Sequence, residues 1–408
     1  MSRFDSFFLM TTNEVPEYVQ EKLSFFPKGA VLSCKEIGDG NLNYVFRVMD
    51  EKTGKTIIVK QAGEQLRISK DMHVSTDRGR IEANILKIQD ELAPGFVPKV
   101  YLYDDIMCAI SMEDMTGHTM MRTAMLNHET FPKFADQITT FMANTLLLST
   151  DLVMDHKKKK EAVKDFINPD LCEITEDLVY SEPCIDYKHR NNVFPPNAVF
   201  VQKELYDDQE LRLEIAKLKW GFLNNAQALI HGDLHTGSIF INSEHMFVFD
   251  PEFAFYGPMG YDTGNILANM FFAWCNGDAT LEEPEQKKIF CDWCLETIHD
   301  IVELFIKKFK DLYYKNVHDC MAKTDGFLDW YLGNVLSDTA GVMGLELNRR
   351  TVGMANVKDI TTIADVEKRK RAEQRCILLA KRMIMKRDTY KCGNDYLFAI
   401  NDVISRVS

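Results

Sequence analysis

The sequence predicts an α+β protein with two lobes, a small β-rich lobe over residues 1–115 and a larger helical lobe over residues 116–408. Three observations predict this division. Short apolar runs separated by turn residues fill residues 31–60, which is typical of antiparallel strands. Apolar residues at helical spacing dominate from about residue 129 onward. The chain, with 408 residues, is also long for a single hydrophobic core.

The first lobe is predicted to be a meander of strands joined by one helix. The helix is expected over residues 77–92, where apolar residues recur at three- to four-residue spacing after a capping Thr76. The polar run Glu113–Gly117 marks the predicted lobe boundary. The strand-like runs are residues 31–37, 44–49, 56–59, 97–103 and 108–112.

The second lobe is predicted to be built mainly from helices, because its apolar residues follow the helical period rather than the alternation of strands. The clearest helical patterns cover residues 131–148, 208–224, 284–314 and 363–389.

Charge and composition exclude several classes of partner. A formal net charge of −13 argues against general binding of nucleic acid or anionic membranes. The longest apolar stretch, around residues 266–274, is too short to span a bilayer. The N-terminal sequence lacks the features of a secretory signal. A cytoplasmic protein is therefore expected, with no nucleic-acid or membrane partner.

The ten cysteines are expected to be reduced thiols that serve as small core residues. Cys291 and Cys294 form a C-x-x-C pair, but no second pair stands at zinc spacing. No disulfide framework or zinc site is predicted.

A glycine-rich segment between two predicted strands is a candidate phosphate-binding loop. Residues 38–45 fit the pattern G-x-G-x-x-G-x-V, with Gly40 at the second glycine and Asn43 in place of the third. Glycines allow backbone N–H groups to approach phosphate oxygens closely. The alternative is an ordinary hairpin turn of the Gly-Asp-Gly-Asn type.

Lys60 and Glu82 stand where a kinase needs an ion pair. An ammonium group on the third strand could reach the α- and β-phosphates of ATP, and a glutamate on the next helix could hold it in place. The alternative is that both are ordinary surface charges.

The strongest signal is His231-Gly-Asp-Leu-His-Thr-Gly-Ser-Ile-Phe240, followed by Asp250-Pro251-Glu252. Asp233 is suited to orient the attacking hydroxyl and accept its proton. Asp250 and Glu252 are suited to hold Mg²⁺ on the phosphates. Pro251 is expected to bias Asp250 toward extended backbone geometry, which would aim both carboxylates at one ion.

Two other interpretations of the first block remain open. In a metal-dependent hydrolase, His231, Asp233 and His235 would be ligands to zinc or iron and Asp250 would bridge. Such sites usually need further histidines, and those downstream form no obvious cluster. Alternatively, His231 is a hydrogen-bonded loop residue that supports the backbone beside Asp233.

These blocks resemble the two signature motifs of the 5-methylthioribose kinase family, a branch of the group that includes aminoglycoside and choline kinases. Ser238 and the Asp-Pro-Glu form of the second motif distinguish this family from the others in the group. Further similar stretches, among them residues 36–46 and 346–353, extend the resemblance over nearly the whole chain.

The resemblance implies a protein-kinase-like fold and a set of site residues. Asp233, Arg349 and Arg350 would face the sugar, and Asp250 and Glu252 would hold Mg²⁺. The residues expected to bind ATP are Gly40, Asn43, Lys60, Glu82, Glu113, Asp114, Met115, Asp250, Pro251 and Glu252.

The same resemblance implies transfer of the γ-phosphoryl group of ATP to the 1-hydroxyl of 5-methylthioribose, in methionine salvage, by a homodimer. A kinase for an aminosugar or for choline would share most of these residues, although the arginine pair argues against a cationic substrate. From another class, an inactive kinase-like scaffold would be expected to lose Lys60, Asp233 or Asp250. All three are present.

Overall fold

The structure, a computed structural model, describes residues 2–37, 43–63 and 75–407. Contacts divide it into two compact units. The first comprises Met1–His118 and Phe247–Ala254, and the second comprises Thr119–Met246 and Phe255–Ser408. The segment Phe247–Ala254 belongs to the first unit, where the N–H of Val248 donates to the carbonyl of Phe96 at 2.7 Å. The predicted division instead places this segment in the helical lobe over residues 116–408.

The first unit is built on an antiparallel sheet of five strands in the order β1-β2-β3-β5-β4. The predicted meander is confirmed, with strand ends that differ by a few residues. The strands are β1 (Leu32–Glu36), β2 (Asn43–Asp50), β3 (Thr56–Ala62), β4 (Val100–Asp104) and β5 (Ala109–Met112), and the helices are α1 (Val15–Lys22) and α2 (Asp77–Leu92).

The β2–β3 hairpin fixes the register of the central strand. At the turn, the carboxylate of Asp50 accepts hydrogen bonds from the N–H of Lys52 and the hydroxyl of Thr53. Gly54 follows with a φ of +71°, which a side chain would disfavour. This turn pairs Val45 with Lys60, so Lys60 lies on β3 in the middle of the sheet.

One hydrophobic core underlies this sheet. Phe46 and Val48 of β2 and Val59 of β3 are buried against Val15 and Val19 of α1. Helix α1 was not predicted from the sequence, because it is only two turns long. Burial alternates along the second half of β2, whereas β3, the central strand, is buried at every position beyond its first residue.

The second unit is mainly helical, as predicted. Its short strands are β6 (Thr119–Met120), β7 (Ala228–Ile230), β8 (Ile239–Ile241) and β10 (Phe255–Gly257), with β9 (Met246–Val248) at the boundary between the units. Its helices are α3 (Met121–Leu126), α4 (Phe134–Leu148), α5 (His156–Asp165), α6 (Pro169–Thr175), α7 (Glu182–Ile185), α8 (Ala198–Val201), α9 (Gln209–Asn224), α10 (Gly260–Thr280), α11 (Pro284–Asn316), α12 (Phe327–Val352), α13 (Lys358–Thr361), α14 (Val366–Met385) and α15 (Gly393–Arg406).

Helices α10 and α12 pack at unusually short range. A Cβ atom on Gly260 would lie 2.7 Å from the backbone nitrogen of Thr339, and one on Gly264 would lie 2.6 Å from its carbonyl oxygen. Only glycine therefore permits this approach. The packing places Asp262 on α10 and Arg349 on α12 in the same region of the second unit.

The predicted helices correspond to α4, α9, α11 and α14, whereas α10, α12 and α15 were not predicted as elements. No helix in the described ranges is long and apolar enough to cross a membrane.

Candidate functional site

In the first unit, Lys60 and Glu82 lie beside Asp250 of the second sequence motif. Lys60 Nζ lies 2.7 Å from Glu82 Oε2 and also donates to Asp250 Oδ1. The Lys60 and Glu82 side chains are both buried, so the surface-charge alternative is wrong for this pair. Asp250 remains 41% exposed at its side chain.

Among the residues that the structure describes around Lys60, acidic groups outnumber cations. Burial raises the pKa of Glu82 to about 8, and Asp250 and Glu252 add to that effect against the attraction of Lys60. Burial likewise raises the pKa of Glu252, with Asp250 as the next cause. Three carboxylates thus share this region with two cations, Lys60 and Arg78.

Glu252 contacts a side chain of β2 and a side chain of α2. The amide of Asn43 donates to Glu252 Oε2 at 3.0 Å, and Arg78 Nε lies 3.3 Å from the same oxygen. Arg78 also donates to Asn43 Oδ1 at 3.1 Å and to the carbonyl of Gly63 at 3.0 Å. Arg78 is only 2% exposed. It was not predicted from the sequence to be a site residue.

The carboxylates fit a divalent cation. Oxygen atoms of Glu82, Asp250 and Glu252 all lie within 4.8 Å of one another. Mg²⁺ prefers hard oxygen ligands of this kind, and its charge would offset the excess of acidic groups. The residues present therefore agree with the predicted metal site.

The predicted backbone at Asp250 is wrong. Asp250 has a φ of +66°, in the left-handed region, although the residue before a proline was expected to be extended. Aspartate tolerates this region better than most residues, at a cost of about 1–2 kcal/mol. Asp250 pairs with Lys60 in this conformation, so contacts within the first unit outweigh the local preference.

Glu113, Asp114 and Met115 follow directly after β5, at the predicted lobe boundary. The N–H of Glu113 donates to the carbonyl of Lys99 at 2.9 Å, and the Asp114 carboxylate pairs with Arg47 at 2.8 Å. Pro251 lies between Asp250 and Glu252. Residues 38–42 of the predicted phosphate loop, including Gly40, lie outside the described residues, whereas Asn43 begins β2.

In the second unit, Asp233 lies among three basic side chains. His235 Nε2 is 3.3 Å from Asp233 Oδ2, Arg349 Nη1 is 3.3 Å from Oδ1, and Arg350 Nη2 is 3.6 Å from Oδ1. Burial alone would raise the pKa of Asp233, but His235 and the two arginines lower it well below its usual range. Asp233 is therefore ionised at neutral pH and still 22% exposed at its side chain.

The arginine pair occupies the last turn of α12 and is buried, not at the surface. Glu346, one turn earlier, lies 3.3 Å from Arg349 Nη1 and 2.9 Å from Arg350 Nε. Among the described residues, Arg349 Nε and Arg350 Nη2 have no hydrogen-bond acceptor. Both guanidinium groups therefore keep donors for a further polar group.

The loop that carries Asp233 is anchored by Asp262. The Asp262 carboxylate accepts hydrogen bonds from the N–H of His231 at 2.7 Å and from the N–H of Gly232 at 3.0 Å. Gly232 has a φ of +83°, which glycine adopts without strain. The N–H of Asp233 also lies 3.3 Å from His231 Nδ1, so His231 supports the backbone beside Asp233.

The hydrolase interpretation is not supported in the described part of the chain. Its proposed ligands His231, Asp233 and His235 do not form a group with metal-ligand spacing there, and the cluster that does is Glu82, Asp250 and Glu252. His235 instead directs its two ring nitrogens to Gly237 and Asp233.

Several residues that contact Glu252, the loop of Asp233 or the arginine pair were not predicted from the sequence. Glu346 begins residues 346–353, the similar stretch that contains the arginine pair, and its place there was the available signal. Asp262 stands ten residues after Glu252, beyond the second motif. Arg78 and Arg122 gave none, because the buried Arg78 and the half-buried Arg122 contact partners far away in the sequence.

The chain matches a family model, and known proteins resemble it in sequence and in structure. The model of the phosphotransferase enzyme family matches residues 183–285. A methylthioribose kinase of Geobacillus sp. strain WCH70 is 38% identical over 369 residues, 90% of each chain. A methylthioribose kinase of Yersinia enterocolitica is 34% identical over 408 residues, 100% of this chain and 99% of that protein. Among solved structures, a choline kinase from Cryptosporidium parvum gives a TM-score of 0.49 at 12% identity, with 97% of each chain covered.

The predicted α+β, protein-kinase-like fold class is confirmed by the family match together with the sheet of the first unit and the helices of the second. Both curated relatives exceed 30% identity across at least nine-tenths of the chain. The chain belongs to the methylthioribose kinase family.

Proposed function

We propose that the chain transfers the γ-phosphoryl group of ATP to the 1-hydroxyl of 5-methylthioribose, giving 5-methylthioribose 1-phosphate and ADP. The main support is the similarity to methylthioribose kinases over nine-tenths or more of the chain. The 1-position and the role in methionine salvage are expectations from the family resemblance.

The nucleotide is assigned to residues of the first unit. Lys60, fixed by Glu82, would contact the phosphates, and the backbone of Glu113 to Met115 would contact the base. Gly40 and Asn43 would contribute to covering the phosphates. Asp250 and Glu252 would hold Mg²⁺, which neutralises negative charge that develops on the phosphoryl oxygens.

The acceptor sugar is assigned to residues of the second unit. The Asp233 carboxylate would bind the 1-hydroxyl and direct its oxygen at the γ-phosphorus. It would take up the hydroxyl proton as the new P–O bond forms and the bond from the γ-phosphorus to the β,γ-bridging oxygen breaks, so that ADP leaves. Arg349 and Arg350 would donate their remaining N–H groups to sugar hydroxyls and to the transferring phosphoryl group. The low pKa of Asp233 favours orientation of the hydroxyl over early removal of its proton.

The charges near Asp233 weigh against choline or an aminosugar. A cationic acceptor would lie beside the buried guanidinium groups of Arg349 and Arg350, and like charges in a buried site repel strongly. An inactive scaffold is disfavoured because Lys60, Asp233 and Asp250 are retained with partners suited to catalysis.

A coupled assay of ADP release tests the function. Purified protein would be supplied with Mg-ATP and, separately, methylthioribose, ribose, choline, an aminoglycoside or no acceptor. Turnover confined to methylthioribose is expected. Equal turnover without acceptor would indicate an ATPase, and preference for choline or an aminoglycoside would contradict the assignment of the arginine pair.

We also propose that the protein acts in the cytoplasm as a homodimer. All ten cysteines are free in the structure, which agrees with a reducing compartment. The dimer is an expectation from the family resemblance, and multi-angle light scattering of the purified protein would test it. A monomer across the concentration range of the activity assay would overturn it.

A further inference from the structure

The imidazole of His235 contacts different groups through its two ring nitrogens. Nδ1 accepts a 2.9 Å hydrogen bond from the backbone N–H of Gly237, and Nε2 lies 3.3 Å from Asp233 Oδ2. A nitrogen that accepts from an N–H group carries no proton of its own. The proton of the neutral ring is therefore on Nε2, where it points to the Asp233 carboxylate.

The charge state of the ring agrees with this tautomer. Burial lowers the pKa of His235, and the nearby positive charges of Arg122 and Arg350 lower it further against the attraction of Asp233. The ring is thus neutral at pH 7, as the hydrogen bond from Gly237 requires. Asp233 gains a fixed N–H donor rather than a mobile counter-charge.

The turn after His235 holds the ring in place. Ser238 Oγ accepts from the N–H of His235 at 2.9 Å and lies 3.0 Å from the carbonyl of Asp233. A Cβ atom on Gly237 would lie only 2.8 Å from the imidazole, so glycine is needed for this approach. Arg122 Nε donates to Thr236 Oγ1 at 3.3 Å from outside the turn.

We propose that His235 is a positioning residue for phosphoryl transfer, whose Nε2–H bonds to Asp233 Oδ2 and fixes the rotation of the carboxylate. The arginines contact Oδ1 alone, so they leave that rotation less constrained. With His235 in place, the carboxylate meets the acceptor hydroxyl in one orientation. The inference rests on the proposed kinase reaction and adds a residue to its acceptor side.

If His235 were only structural, it would act through Nδ1, which accepts a hydrogen bond from Gly237 and so caps the turn. Two substitutions separate this capping role from the positioning of Asp233. In His235→Asn, the short amide oxygen can still accept from the N–H two residues ahead, but the side chain is too short to reach Asp233. In His235→Gln, the longer amide can donate to Asp233, but it caps the turn poorly.

The positioning role predicts that His235→Asn lowers kcat on the order of 10- to 100-fold, as for a displaced catalytic group, with little change in Tm or in the Kd for ATP. His235→Gln should lose less kcat and more thermal stability. The inference is overturned if His235→Asn keeps wild-type kcat, or if the two variants lose kcat equally.

A second measurement does not depend on the acceptor. Nitrogen NMR of protein labelled at histidine should show His235 with a bare Nδ1 and a protonated Nε2 at pH 7, and Asp233→Asn should shift the Nε2–H signal. A charged ring, an Nδ1–H tautomer or an unmoved signal would contradict the inference. If the wild-type protein fails to phosphorylate methylthioribose, the proposed function fails, whereas this measurement still decides whether His235 holds Asp233.

Discussion

The carboxylate of Asp262 accepts a 2.7 Å hydrogen bond from the backbone N–H of His231, and thereby ties helix α10 to the start of the loop that carries Asp233. Asp262→Ala would leave this N–H and that of Gly232 buried without an acceptor, at about 1–3 kcal/mol each. We expect a clear loss of stability in urea unfolding, together with a lower kcat. Asp262→Asn keeps one acceptor and should lose less stability. Equal stability of the alanine variant and wild type would contradict the anchoring role.

Asp233→Asn should abolish most turnover and leave nucleotide binding nearly intact. The amide keeps the shape but cannot accept the hydroxyl proton, so a loss on the order of 10²- to 10⁴-fold is expected. Single-turnover kinetics and calorimetric titration with ATP would measure the two effects. Asp329→Asn, at an exposed position, is the matched control. Near-normal kcat in the Asp233 variant would remove this residue from the mechanism.

The pH dependence of the reaction gives a separate prediction. Contacts with His235, Arg349 and Arg350 lower the pKa of Asp233, against the opposing effect of burial, so the carboxylate remains charged until the pH falls well below the usual range of aspartate. The stability that this ionised group contributes is present above its unfolded pKa and is lost as pH falls through the folded pKa. No acidic limb of kcat/KM should therefore arise from Asp233 above about pH 5. If kcat/KM of the wild type falls with a pKa above about 5 and this fall is absent in Asp233→Asn, the low pKa of Asp233 is contradicted.

Glu252→Gln should weaken the magnesium dependence of ATP use, because an amide oxygen is a poorer ligand than a carboxylate for Mg²⁺. The effect should be partial, since Asp250 remains. Titration of activity with Mg²⁺, and of Mn²⁺ binding by electron paramagnetic resonance, would measure it. Glu367→Gln, an exposed substitution on α14, serves as control. An unchanged metal titration would show that Glu252 is not a ligand.

Replacing the arginines at the end of α12 tests the acceptor side. Lysine keeps the charge but loses the planar fork that contacts Glu346 and Asp233 together. We expect Arg349→Lys or Arg350→Lys to raise the KM for the sugar or lower kcat at least about tenfold, as for a lost charge-assisted hydrogen bond. The KM for ATP should change little, and the exposed Arg406→Lys should match wild type. If both variants keep wild-type kinetics, the substrate side of the assignment is wrong while the nucleotide side stands.

The first unit could be predicted well because its signals are local. Turn residues bound each strand, and Gly54 adopts the positive φ that such a turn needs. Helix α2 was predicted to its ends, Asp77 and Leu92, from its apolar period. The position of Lys60 followed from the strand order alone.

Helix α12 shows why other elements were not predicted. Nearly every residue from Leu332 to Val352 is buried, so its apolar residues do not follow one face and give no clear helical period. The local sequence therefore gives no sign that the arginine pair lies in the last turn of a helix. Its burial depends on Glu346 and Asp233, and the second of these contacts is made across more than a hundred residues of sequence.

Arg78 illustrates the same limit for charged residues. On an amphipathic helix it resembles a solvated surface group. Its partners Asn43 and Glu252 come from a strand edge and from a motif far along the chain. Local sequence carries no sign of this contact. The left-handed backbone of Asp250 was equally hidden, because the contact with Lys60 overrides the preference set by Pro251.

The first unit is formed from two segments that are far apart in the sequence, and this affects how it folds during synthesis. Domains generally fold as they leave the ribosome, from the N-terminus onward. Here the strand region before His118 is translated early, but Phe247–Ala254, with Asp250 and Glu252, arrives only after Thr119–Met246 has been made. The nascent first unit therefore exposes Lys60 and Glu82 without their later partners during that interval.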